Sequence, residues 1–233
     1  MFAKHAINPS KFLSITLAVV FLMSAAHWIH AQQLQQGISV KMATTSNATP
    51  MPEADNNDAW IVTVTSDGRF YFGTRPVTSA ELSEVMKVTP RYRDQNLYIK
   101  ADARSPFADV EKALAIARTN LFSSPVLLTT QPETPALGKL VAPKGLEVSF
   151  SSPGASTTLV EVSKSGQSAP EVRVDNQDLH LPDLQRALNQ SLQKQKERII
   201  VVKADGQLPF AQVAQVIDAC TSVKAKVALA VTD

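Results

Sequence analysis

Cysteine is almost absent from this chain: Cys220 is the only one in 233 residues, so no intrachain disulfide can form. It falls in an apolar helical pattern, where a small buried thiol with no functional role is expected. The four histidines, His5, His27, His30 and His180, have no spacing that suits a metal site or a nucleophile and its base. No enzyme site and no cofactor are therefore expected. A charge of one sign is lacking too. Lys and Arg number 23 against 21 Asp and Glu, a net charge of +2, and the two signs are mixed along the chain, which excludes a nucleic-acid footprint. One further absence is local: no Asp or Glu occurs anywhere from Met1 to Ala31.

The bulk composition, 44% hydrophobic and 19% charged, is that of a globular protein with a folded soluble portion. Residues 12–26, FLSITLAVVFLMSAA, are uncharged and mostly apolar, and HWIHA extends the run to Ala31. That length suits a single transmembrane helix of about 17–25 residues. Lys4 and Lys11 precede it and no Lys or Arg follows until Lys41, which places the amino terminus in the cytoplasm and the remainder outside. Trp28 sits where an interfacial aromatic is expected. A cleaved signal peptide is the alternative, with Phe12–Met23 as its apolar core and Ser24-Ala25-Ala26 as small residues for processing. Both readings export the chain. Gln32 to Asp58 is rich in Gln, Thr, Ser, Asn and Pro, and residues 32–57 read as a polar linker.

Beyond the linker the sequence repeats itself. Tyr98-Ile-Lys-Ala-Asp102 is followed by Pro106-Phe107-Ala108 and Val110, and Val201-Val-Lys-Ala-Asp205 is followed by Pro209-Phe210-Ala211 and Val213, at identical spacing. Read on without a gap, Leu114 falls on Ile217, Ala117 on Cys220 and Val126–Thr129 on Leu229–Thr232; upstream, Trp60–Gly68 resembles Thr158–Gly166 and Leu82 falls near Leu184. Two homologous domains, 58–131 and 143–233, follow, joined by residues 132–142. Each is expected to run hairpin, helix, strand, helix, strand, as a small α/β domain with helices on one face of a mixed sheet. In the first, Ile61–Val64 and Phe70–Phe72 form a hairpin about Asp67-Gly68, and Thr78-Ser-Ala-Glu81 has capping-box spacing for a helix to about Val88. Asn96–Ala101 is a strand, Pro106 opens a helix to about Leu121, and Pro125–Thr130 is the last strand. In the second, the pieces are Thr158–Ser163, Glu171–Val174, Leu181–Lys196, Arg198–Ala204, Pro209–Thr221 and Lys226–Val231.

One apolar run, a polar linker, a hairpin with Asp-Gly and a strand ending in Ala-Asp before a helix together resemble the ExbD/TolR family of energy-transducing biopolymer transport proteins. Ile7-Asn8, Gly37-Ile38-Ser39-Val40, Asp67-Gly68, Pro76-Val77-Thr78 and Ile99-Lys100-Ala101-Asp102 carry the resemblance, in order along the chain. It implies a single-pass inner-membrane subunit with periplasmic domains, working with an ExbB/TolQ-like polytopic protein and a TonB/TolA-like protein or peptidoglycan. It also implies a homo-oligomer, for which the tandem repeat offers an intrachain pseudo-dimer.

In that family an intramembrane Asp carries the proton coupling, and alignment from Ile7-Asn8 puts Ser14 at its position. A serine hydroxyl does not release a proton near neutral pH, so no proton-coupling residue is expected and the subunit reads as accessory. Two further readings stand beside it: a motor subunit that draws its carboxylate from a companion chain, and an exported periplasmic binding protein not coupled to proton flow. Asp102 and Asp205, each between a strand and a helix, read as a repeated structural device in which the carboxylate complements a helix N-terminus, rather than as catalytic acids.

Overall fold

Alternating apolar positions set out the strands, and a computed structural model shows how they assemble. It describes residues 36–92, 95–131, 142–154, 156–165, 169–193, 195 and 197–230. These belong to one unit formed by Leu34–Thr134 and Ala142–Asp233. The run Phe12–Ala31, with Ser14, lies outside the described residues, and among those described no helix is long and apolar enough to cross a membrane.

Among the described residues the fold is α/β, with two mixed sheets and four α-helices. The first sheet joins β1 (Thr49–Pro50), β2 (Trp60–Val64), β3 (Phe70–Phe72), β4 (Arg75–Val77), β5 (Leu97–Ala101), β6 (Val126–Thr129) and β7 (Lys144–Glu147) in the order β1-β7-β6-β5-β2-β3-β4. The second joins β8 (Ser149–Phe150), β9 (Thr158–Ser163), β10 (Glu171–Val174), β11 (Gln177–Leu179), β12 (Ile199–Ala204) and β13 (Lys226–Leu229) in the order β11-β10-β9-β12-β13-β8. Helices α1 (Ser79–Val88), α2 (Phe107–Thr119), α3 (Leu184–Leu192) and α4 (Phe210–Thr221) complete it.

Local chemistry explains where α1 begins. Thr78 Oγ1 accepts from Glu81 N at 3.2 Å while Thr78 N donates to Glu81 Oε2 at 2.7 Å, the reciprocal capping box that the sequence announces. Leu82 and Met86, one turn apart, then face the sheet. In the second half the expected long helix is shorter: a 3-10 turn at Leu181–Asp183 leads into α3, which ends at Leu192.

The pleat divides each strand between two environments. Trp60, Val62 and Val64 of β2 with Leu97 and Ile99 of β5 point to the helices, and that core runs on without a break through Val160, Ile200, Phe210 and Ile217 of the second half. Ile61, Tyr98, Val126 and Leu128 point the other way, into a smaller cluster closed by Met42 and Ala54. Thus the stretch read as a polar linker is packed over much of its length: Met42, Ala43, Thr45, Ala48 and Ala54 are buried.

Two other expectations are corrected. Strand β7 falls in the stretch assigned to the second domain but pairs antiparallel with β6 in the first sheet; the chain crosses to the second sheet through Val148, where β8 pairs parallel with β13. The repeat also carries a one-residue deletion before β13. Tyr98 pairs with Val126, whereas its counterpart Val201 pairs with Ala228, so Val126 matches Ala228 rather than Leu229. A slip of one residue would have turned every side chain of β13 to the wrong face.

Candidate functional site

The two copies meet through the loops that hold the repeated Ala-Asp and Pro-Phe-Ala motifs. Phe107 N donates to Leu208 O at 2.8 Å and Phe210 N donates to Ser105 O at 2.8 Å; Ala108 N donates to Gly206 O and Ala211 N to Ala103 O, both at 2.9 Å. In repeat register these are two pairs of equivalent bonds, so the contact is isologous, as across a two-fold axis. The amino-terminal N–H groups of α2 and α4, which have no partner within their own helices, are satisfied by carbonyls of the opposite copy. Close approach is required at Gly206, where an added Cβ would lie 2.9 Å from Ala108 Cβ.

Asp102 and Asp205 hold the same turn in each copy. Oδ1 of Asp102 accepts from Arg104 N at 3.0 Å and Oδ1 of Asp205 from Gln207 N at 2.8 Å, while their carbonyls accept from Ser105 N and Leu208 N. The helix N–H groups of Phe107, Ala108, Phe210 and Ala211 donate to the opposite copy, while the acids accept from the turn N–H groups of Arg104 and Gln207. Beyond the shared turn the two acids differ. Asp102 is buried, takes both Arg104 Nε at 2.8 Å and Nη2 at 2.9 Å, and accepts from Lys41 N at 3.2 Å. The Arg104 side chain, with the backbone N–H groups of Arg104 and Lys41, holds its carboxyl down at about 2 against the cost of burial.

The segment 36–58 forms a strap over the outer face of the first sheet and ties the halves together. Ala103 N donates to Lys41 O, Thr45 N to Thr130 O and Thr130 N to Ala43 O, and β1 pairs with β7. Gly37, at φ 83°, brings backbone onto β2 so closely that a Cβ would meet Thr63 Oγ1 at 3.0 Å. At its middle the strap reaches the second copy: the carboxylate of Asp218 on α4, a buried residue, accepts from Ser46 N at 2.9 Å, Asn47 N at 2.8 Å and Asn47 Nδ2 at 3.0 Å. Sequence reasoning passed over Asp218, although its repeat counterpart Ala115 is the one signal available, a carboxylate standing where the other helix has alanine.

Beneath the strap lies a buried polar group. Lys100 Nζ donates to Gln36 O at 3.2 Å, and burial holds its ammonium below the ordinary lysine value. Asp55, drawn to Lys100 by charge, has its carboxyl raised by burial. Among the described residues, Asp55 Oδ1 and Thr63 Oγ1 have no hydrogen-bond partner. An open cleft of about 660 Å³ lies at the carboxyl ends of β12 and β13, with Glu111, Arg118, Phe150 and Lys203 among its walls. Cys220 is fully buried, and its thiol is pushed up to about 12 by that burial. Among the described residues no cluster of His, Cys, Asp and Glu could hold a metal ion.

Comparison with known proteins matches this arrangement twice over. The family described as biopolymer transport protein ExbD/TolR matches residues 14–133 and, separately, residues 134–233. No curated protein and no solved structure matches the chain. The two matches each cover one copy of the repeated α/β unit, and together they span nearly the whole sequence. The chain therefore belongs to the ExbD/TolR family of biopolymer transport proteins, components of energy-transducing transport rather than enzymes.

Proposed function

We propose that this chain is an accessory subunit of an inner-membrane biopolymer-transport assembly, anchored once through Phe12–Ala31, that carries two periplasmic copies of the α/β unit fused as an intrachain pseudo-dimer. The observation that carries the reading is the reciprocal pairing of Phe107 and Ala108 with Leu208 and Gly206, mirrored by Phe210 and Ala211 with Ser105 and Ala103. Two separate chains would lose rotational and translational freedom to make such a contact, whereas a covalent link supplies the second copy at high effective concentration. The fusion supports a subunit that presents a ready-made pair to its partner. Asp102 and Asp205 hold the turns that shape this pair and perform no chemistry.

The accessory role follows from the sequence between Met1 and Ala31, which contains no acid. An ion-coupling carboxylate in lipid is expensive and is kept where it works, and Ser14 stands at its expected position. Partners are an ExbB/TolQ-like membrane protein and a TonB/TolA-like protein, with peptidoglycan as a ligand that the 660 Å³ cleft could admit. Purification from membranes tests the assembly: recovery of a polytopic ExbB-like chain is expected, and its repeated absence would sink the reading. If the carboxylate is drawn from a companion chain, Ser14→Asp leaves partner energisation unchanged; a gain would show that the missing acid limits activity. Ser24-Ala25-Ala26 favours a second reading, an exported periplasmic binding protein, which sequencing of the mature amino terminus decides.

A further inference from the structure

Three large hydrophobic side chains are exposed among the described residues, and all lie in the helix ends and loops that lead into β5 and β6, an edge of the folded unit at the end of the sheet where these strands begin. Val88 ends α1 at 76% exposure, Tyr92 follows in the loop before β5 at 76%, and Leu121 follows α2 at 83%. Arg91 lies between them with its guanidinium 4.3 Å from the ring centre of Phe122, and Arg91 and Leu121 line the same shallow cavity of about 310 Å³. Leu121 is unusual twice. Its φ is 65°, a left-handed conformation that glycine or asparagine adopts at lower cost, and it presents a bare aliphatic chain to water. Its repeat counterpart Lys224 has the same backbone, φ 54°, and a charged side chain. The backbone therefore does not require leucine.

The strap begins at this edge. Gln36 Nε2 donates to Asp55 O and Asn57 Oδ1, Gln95 Nε2 donates to Asp58 O, and Tyr92 N donates to Gln95 Oε1, a chain of bonds from the start of the described residues to the exposed tyrosine. Gln36 lies five chain steps beyond Ala31, a reach of at most about 17 Å when fully extended. The opposite edge is unavailable, because the loops after β5 are consumed by pairing with the second copy. We propose that the edge bearing Val88, Tyr92 and Leu121, with Arg91 beside them, is a lipid-contact surface that rests on the bilayer to which Phe12–Ala31 tethers the chain. The residue types suit that place: tyrosine and arginine put an apolar body into the headgroup boundary and a polar tip into water, and leucine and valine add apolar area below. The inference rests on the anchor reading given above.

The test uses the full-length chain reconstituted in vesicles of phosphatidylethanolamine and phosphatidylglycerol that contain a doxyl-quencher lipid. A fluorescent label is placed through Leu121→Cys, through Tyr92→Cys, or through Gln177→Cys on β11 as the control; buried Cys220 stays unlabelled. The expected result is quenching at positions 121 and 92 several-fold stronger than at 177, with all three chains floating with the vesicles. Equal quenching at the three sites in chains that float overturns the surface and leaves the anchor standing. So does a label at 121 that stays unquenched by lipid and shifts its emission only when a protein partner is added. Chains that fail to float overturn both.

Discussion

The outer faces of the two sheets are built on the same backbone and behave in opposite ways. Thr63, Lys100 and Tyr71 of the first sheet occupy the positions that Glu161, Lys203 and Arg173 occupy in the second. In the first, the strap covers the face and Lys100 is 4% exposed, held by the Gln36 carbonyl. In the second, Lys203 keeps 61% of its side chain in water, 3.8 Å from Glu161. The lesson is about counter-charge. A face that carries its own acid and base is satisfied in water and costs free energy to cover, whereas a face with threonine beside lysine accepts a strap that brings an acid, Asp55, and a carbonyl of its own.

If one core serves both halves, damage to either should be felt by the whole. Phe107→Ala and Phe210→Ala remove equivalent buried rings, and each is expected to lower the unfolding free energy by about 3–5 kcal/mol. Denaturant unfolding should remain a single transition in both variants, since the apolar cluster is continuous across the copies. Two separate transitions, with only the mutated half destabilised, would show that the halves fold independently.

The strap comparison can be broken by exchanging one residue. Thr63→Glu places a carboxylate in a fully buried position near Asp55, and a loss of about 3 kcal/mol is expected, or release of the strap with loss of hydrogen-exchange protection at the Ala103 and Thr45 amides. The reverse change, Glu161→Thr, removes a partly exposed carboxylate beside Lys203 and Arg173 and should stay within about 0.5 kcal/mol. Equal effects of the two substitutions would refute the account of why one face is covered.

Asp102 and Asp205 sharpen the comparison through pH. The carboxyl of Asp102 lies lower folded, at about 2, than unfolded, so it adds stability above the unfolded value that is lost as pH falls toward 2. Because Arg104 is two-thirds exposed, the contribution is discounted to about 1–2 kcal/mol. Asp102→Asn should lower the denaturation midpoint at pH 7 and flatten its decline between about pH 5 and 2. Asp205→Asn, at a carboxylate that accepts from the Gln207 amide, should cost less. A larger loss at Asp205 would reverse the assignment of which turn carries the load.

Much of this architecture was legible in the sequence, for identifiable reasons. The capping box at Thr78 and Glu81, the hairpin at Asp67-Gly68 and the repeated Ala-Asp before Pro-Phe-Ala are local devices, and local devices survive in a string. The strap was not legible because its buried residues are small or isolated, Ala43, Thr45, Ala48 and Ala54, and it is held by backbone N–H groups that any residue supplies. Nor was the deletion before β13, since Val-Ala-Leu-Ala-Val offers an apolar match at either register, and only the pairing of Val201 with Ala228 fixes the face. The crossing of β7 into the first sheet is a tertiary choice that Lys144–Glu147, short and half polar, does not advertise.

The smallest expected effect concerns the paired left-handed residues, Leu121 and Lys224. Both follow a helix at a position where glycine is favoured, so Leu121→Gly and Lys224→Gly should each raise the unfolding free energy, by a few tenths to about 1 kcal/mol once the greater freedom of unfolded glycine is set against the relieved strain. Because the backbone is the same at both sites, the stabilities should move together in the soluble region's thermal midpoint. Vesicle contact should not. Leu121→Gly is expected to weaken lipid quenching of a label at Tyr92→Cys, whereas Lys224→Gly leaves it unchanged, and parallel changes in both measurements would mean that leucine at 121 has no use beyond the turn it occupies.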